Sequence, residues 1–298
     1  MDRRPEIETR IDKALGMGHV WRVAYESVIA RGMDLLSGRR GLVVGVANAR
    51  SLATAIARAA RHAGAEVALT YQDDRFAEAT RVIGTELASP LVVPCDVGRD
   101  ADIEALATRV QDTWGRLDFL VHAVAVAKRE ELEGAFLGTT RAGFALALDV
   151  SVYSLIALTR ALAPLLERGE GSPSVLTLTY LGAERVVPNY NVMGVAKAAL
   201  EAAVRYLAAD LGPRGVRVNA LSPGPVRTLS AAGVRGLRTM LGHVERTAPL
   251  RRNISADEVG AAALFALSSL GSGVTGEIVH VDGGYNTLAA PPWSSGES

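Results

Sequence analysis

The chain has 298 residues, 49% hydrophobic and 21% charged, a composition that supports a sizeable core and excludes general disorder. Its 32 Lys and Arg balance 32 Asp and Glu, which argues against the broad positive footprint of a nucleic-acid binder. The one cysteine, Cys95, makes neither an internal disulfide nor a cysteine-rich metal site.

No stretch reaches the roughly 20 apolar residues that cross a bilayer. Met1–Arg10 is charged and leads into no long apolar run, so no secretory signal is evident and cytoplasmic residence is expected. Within residues 1–38, Ile7, Ile11 and Leu15, then Val20, Ala24 and Val28, recur at helical spacing. This N-terminal extension reads as one or two amphipathic helices, either a packing arm or subunit contact or a segment that the domain does not need.

From Gly41 the pattern alternates. Gly41–Ala47 reads as a buried strand and Ser51–Ala63 as a helix closed by Gly64. Glu66–Tyr71 and Arg75–Ala88 repeat the pair, as do Leu91–Pro94 and Asp100–Trp114. Asp118–Ala123 is a fourth strand. An irregular stretch to Thr139 precedes a long helix from about Arg141 to Glu167. Ser174–Thr179 is a fifth strand, and Asn191–Leu211 an Ala-rich helix stopped by Gly212-Pro213. Val216–Leu221 and Glu277–Val281 are the last strands. Short, mostly apolar strands alternating with helices predict a doubly wound parallel α/β sheet of about seven strands, helices on both faces. One domain is expected over residues 39–288, with residues 228–250 forming a lid over the strands' carboxyl ends. The tail 289–298, with two prolines, a glycine and three serines, is expected to fray.

The turn after the first strand, Gly45 to Ala53, lacks the Gly-x-Gly-x-x-Gly fingerprint. Gly45 lets a ligand approach the backbone closely, and Ser51 caps a helix whose N-terminus suits a pyrophosphate. A plain capped turn is the other reading. Gln72, after strand two, stands where such folds read the adenosine ribose. Asp73 and Asp74 disfavour a further phosphate there, so NADH is expected over NADPH. Asp96 and Val97, after strand three, suit the adenine amino group and ring, with a helix cap as the alternative for Asp96. Cys95 reads as a small buried apolar residue. Tyr190 and Lys197 are seven positions apart at the head of a helix, so they share a face. A phenol and an ammonium suit carbonyl polarisation and ribose binding.

Thr179-Tyr180-Leu181-Gly182-Ala183-Glu184-Arg185, followed by Pro188-Asn189-Tyr190 through Lys197, resembles enoyl-[acyl-carrier-protein] reductase, a divergent branch of the short-chain dehydrogenase/reductases with a Rossmann-type fold. The common short-chain spacing puts the tyrosine four positions before the lysine, where this chain has Met193. The resemblance continues through Gly45–Asn48, Thr70–Gln72, Cys95–Val97, Gly215–Ala220, Gly224–Thr228 and His280–Gly284, covering about Leu35 to Asn286.

It implies NADH-dependent reduction of trans-2-enoyl thioesters on acyl carrier protein, in fatty acid biosynthesis, by a homotetramer. Tyr190 is then the active-site tyrosine, Lys197 the ribose ligand and Tyr180 the auxiliary tyrosine on the substrate side. Gly45, Ser51, Leu52, Gln72, Asp96, Val97, Val124 and Thr228 bind the cofactor. Val126 and Leu237 line the acyl pocket with the two tyrosines. No metal is required. Family members commonly have serine at the Ala123 position, an aromatic at Val126 and phenylalanine at Leu237, so an altered acyl pocket is expected. Arg214, Arg217, Arg251 and Arg252 are candidates for the acidic carrier or plain surface ions. His122 reads as a strand-end packing residue. The competing readings are a specialised enoyl-thioester reductase of secondary or lipid metabolism and a non-catalytic NAD-binding regulator.

Overall fold

A computed structural model of the chain describes residues 34–228 and 236–288. The expected helices before residue 34, part of the expected lid (229–235) and the tail (289–298) lie outside the described residues.

Seven strands, β1 (Arg40–Val44), β2 (Glu66–Tyr71), β3 (Val92–Pro94), β4 (Phe119–His122), β5 (Ser174–Leu178), β6 (Arg217–Pro223) and β7 (Ile278–Val281), form one sheet in the order β3-β2-β1-β4-β5-β6-β7. Every pairing is parallel. Parallel neighbours need crossovers, and helices supply them. These are α1 (Leu52–His62), α2 (Asp74–Glu86), α3 (Asp100–Trp114), the short α4 (Arg129–Leu132), α5 (Arg141–Leu166), α6 (Asn191–Leu211), α7 (Leu237–Thr247) and α8 (Ala256–Leu267).

Side chains alternate across the strands, so each strand feeds two cores. Leu42, Val44, Leu120 and Val175 meet Ile103, Leu155, Leu158 and Leu200 on the face covered by α3, α5 and α6. Val43, Phe119, Val121 and Leu176 meet Ile56, Ile83 and Val259 on the face covered by α1, α2 and α8. Leu36, before β1, is wholly buried in this second layer.

Two elements differ from expectation. Helix α5 is apolar enough over its 26 residues to satisfy the length and composition of a membrane span, although half of its most apolar window is buried within the body. Asp149 and Arg160 interrupt the run in sequence and hide this continuity, and the apolar residues are there to cover the sheet. Helix α8 went unread because small residues blur its periodicity, with Gly260 and five alanines in 12 positions. Its start nevertheless carries a capping box. The Ser255 hydroxyl accepts from the Glu258 N–H, and the Glu258 carboxylate accepts from the Ser255 N–H.

Arg252 grips the same Glu258 carboxylate with two N–H groups and holds its pKa down to about 2. Ser255→Ala is expected to lower unfolding stability by about 1 kcal/mol, read as a lower urea midpoint. An unchanged midpoint would show that the cap contributes nothing.

Candidate active site

Because all strands run the same way, their carboxyl ends share one edge, and the following loops converge there. They enclose a cavity of about 440 Å³. Ten expected site residues line it: Gly45, Ser51, Leu52, Val124, Val126, Tyr180, Tyr190, Lys197, Thr228 and Leu237.

The nucleotide end is built on the turn from β1 to α1. Gly45 has φ +98°, and a Cβ there would stand 2.5 Å from the Ala123 carbonyl oxygen. Only glycine lets this turn lie against the segment after β4. Ser51 caps α1, its hydroxyl accepting from the Thr54 N–H, while the Thr54 hydroxyl donates to the Asn48 carbonyl. The remaining N–H groups of this capped helix end face the cavity edge, where an anion is favoured. Gln72, Asp96 and Val97 follow β2 and β3 on the same edge of the sheet but outside the cavity wall. Gln72 is exposed and Val97 buried. Asp96 spends one carboxylate oxygen on the Gly98 N–H, organising the turn into α3, whose N-cap is Arg99.

The catalytic end is built where β5 meets α6. Tyr190 precedes α6 between Asn189 and Asn191, which have φ +61° and +31°. Asparagine tolerates this region better than most side chains, and the bent entry turns the Tyr190 ring into the cavity. A Cβ at Gly182 would meet that ring at 2.4 Å, so glycine is what admits the tyrosine. The rings of Tyr180 and Tyr190 pack edge to face, 4.9 Å apart. The Tyr180 hydroxyl donates to the Met240 thioether on α7 at 3.0 Å. A thioether is a weak acceptor, so a substrate oxygen can displace it. Lys197 is buried and donates from Nζ to the Leu178 carbonyl at 2.7 Å.

Burial sets the protonation states. It pushes Tyr180 up to about 12, aided by Tyr285, and raises Tyr190, with Tyr180 adding to the effect. Both phenols are therefore neutral donors near pH 7. Burial pushes Lys197 down to about 8, while Glu201 works the other way. His122 is wholly buried, and burial with the nearby Lys197 charge lowers it to about 3. Its two ring nitrogens pair with the Thr177 and Ser154 hydroxyls at 2.8 Å each. It is a neutral, hydrogen-bonded tie between β4, β5 and α5.

Several wall residues escaped the sequence reading. Met193 and Met240 line the cavity. Met240 lies three positions after Leu237 on α7, a helical spacing that marks it as a neighbour. Ser151, in a π-turn inside α5, accepts from the Val126 N–H at 3.1 Å and so fixes the wall after β4. Such turns leave no simple sequence signal. Arg217 corrects an expectation. It is 5% exposed and bonds the Ser172 hydroxyl and the carbonyls of Ser172, Ser268 and Val274, so it is neither a surface ion nor available to a carrier. Arg214 pairs with Glu167 and Arg252 with Glu258.

Residues 45–286 match the family model described as Enoyl-(Acyl carrier protein) reductase. Enoyl-[acyl-carrier-protein] reductase [NADH] 1 of Rhizobium meliloti is 49% identical over 260 residues, which are 87% of this chain and 94% of that protein. The Escherichia coli enzyme of the same activity is 46% identical over 86% of this chain and 97% of its own. The crystal structure of the Aquifex aeolicus enoyl-[acyl-carrier-protein] reductase (NADH) superposes with a TM-score of 0.83 at 46% identity, covering 86% of this chain and 100% of that one. A Bacillus cereus enoyl-acyl carrier protein reductase solved with NADP+ and an indole naphthyridinone gives 0.84 at 47% identity, over 87% of this chain and 100% of that one. The chain belongs to the enoyl-(acyl-carrier-protein) reductase family.

Proposed function

We propose that this chain reduces the trans-2 double bond of enoyl thioesters carried on acyl carrier protein, with NADH as the reductant, in fatty acid biosynthesis. The observation that carries the reading is the grouping of Tyr190, Tyr180 and Lys197 around a cavity that also reaches the capped turn of α1.

The residues fit a dinucleotide. Gly45 leaves the space that a Cβ would fill, the α1 N-terminus and Ser51 suit the pyrophosphate, and the Lys197 ammonium suits a ribose hydroxyl. Val124 and Thr228 line the nicotinamide side of the cavity. Gln72 takes the adenosine ribose, and Asp96 and Val97 the adenine. The preference for NADH rests on Asp73 and Asp74 beside Gln72, since Arg75 is already committed to Asp73 at 2.6 Å. When bound, NADH supplies a hydride to the substrate β-carbon.

As that bond forms, negative charge builds on the thioester oxygen. Tyr190 donates a hydrogen bond to this oxygen, assisted by the Tyr180 hydroxyl once it is released from Met240, and a proton from solvent added at the α-carbon completes the saturated thioester. The positive potential of Lys197 acts across an apolar wall, where such contacts are strong. Val126 and Leu237 position the acyl chain, and holding it against the reductant lowers the barrier by orientation. The acidic carrier docks at the cavity mouth. Exposed apolar side chains on neighbouring helices, Tyr153 on α5 with Val195 and Tyr206 on α6, support assembly into a homotetramer, and the reading places the enzyme in the cytoplasm.

Purified protein given crotonyl-ACP or longer enoyl-ACP should consume NADH and form the saturated thioester, with NADPH poorer. Tyr190→Phe and Lys197→Ala should each lower kcat/KM at least tenfold, about 1.4 kcal/mol in the barrier, with unchanged circular dichroism. No turnover at any chain length would sink the assignment. The triple variant Ala123→Ser, Val126→Phe, Leu237→Phe should shift chain-length preference and tighten binding of flat ring inhibitors. Unchanged values for both would remove these positions from the specificity argument.

A further inference from the structure

Behind the expected tyrosines and lysine, a buried carboxylate is bonded to Thr179, which lines the cavity. Glu201 is 7% exposed and lies one helical turn after Lys197 on α6. Residues so spaced have Cβ atoms roughly 5–6 Å apart. Its Oε1 accepts from the Thr179 hydroxyl at 2.7 Å. Thr179 stands between Leu178, whose carbonyl takes the Lys197 ammonium, and Tyr180, whose ring lies on Tyr190. A buried carboxylate is costly unless it is paired, and this one is placed where both its charge and its acceptor act on the site.

We propose that Glu201 is a positioning residue of the active site, holding Lys197 in its charged form toward the cofactor ribose and anchoring the Thr179 hydroxyl. The inference rests on the reading of Lys197 as the ribose ligand.

The electrostatics run in the required direction. Burial drives Lys197 toward neutrality and Glu201 opposes it. Burial also raises the Glu201 carboxyl, and Glu184 adds to that, while the Thr179 bond, Arg205 and His280 favour the ionised form. The groups facing the pair are His122 from β4, Tyr180 and Glu184 from the segment after β5, Tyr190 from the entry to α6, Arg205 from α6 itself, and His280 from β7, paired with Glu184 at 2.9 Å. Glu201→Gln leaves all of these in place and keeps an acceptor for Thr179, so it removes the charge alone.

The test measures NADH affinity of the full chain by fluorescence across pH, with kcat/KM for crotonyl-ACP in parallel. In the native protein, binding should weaken as pH rises through about 8, where Lys197 loses its proton. In Glu201→Gln this basic limb should move down by about one pH unit, weakening NADH binding about fivefold near pH 8, with little change near pH 6. Glu201→Asp, which restores the charge, should return the limb toward its native place. Thr179→Val, which removes the hydroxyl that favours the carboxylate, should move the limb the same way but less, and it serves if Glu201→Gln fails to fold. A limb that stays in place, or a loss equal at all pH values, overturns the proposal. Native protein that binds NADH but reduces no enoyl-ACP defeats the functional reading instead, and the binding curves still decide the role of Glu201.

Discussion

Three consecutive residues at the end of β5 are each tied to α6 or to the tyrosine that precedes it. The Leu178 carbonyl takes the Lys197 ammonium, the Thr179 hydroxyl donates to Glu201, and the Tyr180 ring packs on Tyr190. The first contact is made by the backbone; the next two are made by successive side chains, which alternate along a regular strand, so the chain must be leaving the sheet at that point. It does so directly into the turn at Leu181–Ala183. The helix in turn can approach this closely only because Gly182 carries no Cβ against the Tyr190 ring. Sheet, turn and helix therefore arrive at the site as one unit, and the geometry of the two phenols and the ammonium is set by packing rather than by loop conformation.

The same arrangement explains the chemistry available. A lysine that is 5% exposed keeps a reduced proton affinity, and two phenols held in an apolar wall keep their protons. The site offers hydrogen-bond donors and positive potential but no side chain poised as a strong base. His122, buried behind the site, is held neutral by burial and has both nitrogens occupied. Such a site suits a reaction in which negative charge builds on oxygen and the reducing electrons come from elsewhere.

Much of this was legible where sequence carries a local rule. Asn191–Leu211 is legible to the residue, because Gly212-Pro213 stops a helix for reasons internal to the backbone, and the helix near Asp100–Trp114 lies where its apolar spacing puts it. The parallel sheet followed from strands that are apolar on both faces. What escaped reading depends on contacts across the fold. Nothing near Arg217 in sequence says that Ser172, Ser268 and Val274 will surround it. Helix α8 escaped because small residues flatten its apolar stripe, although the Ser255–Glu258 cap was present to mark its start. Among the expected cofactor contacts, those in the β1 turn line the cavity, while Gln72, Asp96 and Val97 lie farther along the same edge.

The acyl end differs in kind from the nucleotide end. Around the cofactor turn, a Cβ at Gly45 is excluded by backbone atoms of the neighbouring strand's loop, so that wall cannot shift without moving the sheet. Around the two tyrosines, the cavity wall includes Val126, Leu237, Met193 and Met240. Two of these are unbranched thioethers that re-pack at low cost, and two are aliphatic. Leu237 and Met240 also sit on α7, where the Met240 sulfur is a weak acceptor for the Tyr180 hydroxyl. Rigidity is thus concentrated at the turn into α1, and compliance beside the two tyrosines. Each methylene gained or lost against such a wall changes binding by about 1–3 kcal/mol, enough for the aliphatic side chains of Val126 and Leu237 to bear on which acyl chains fit.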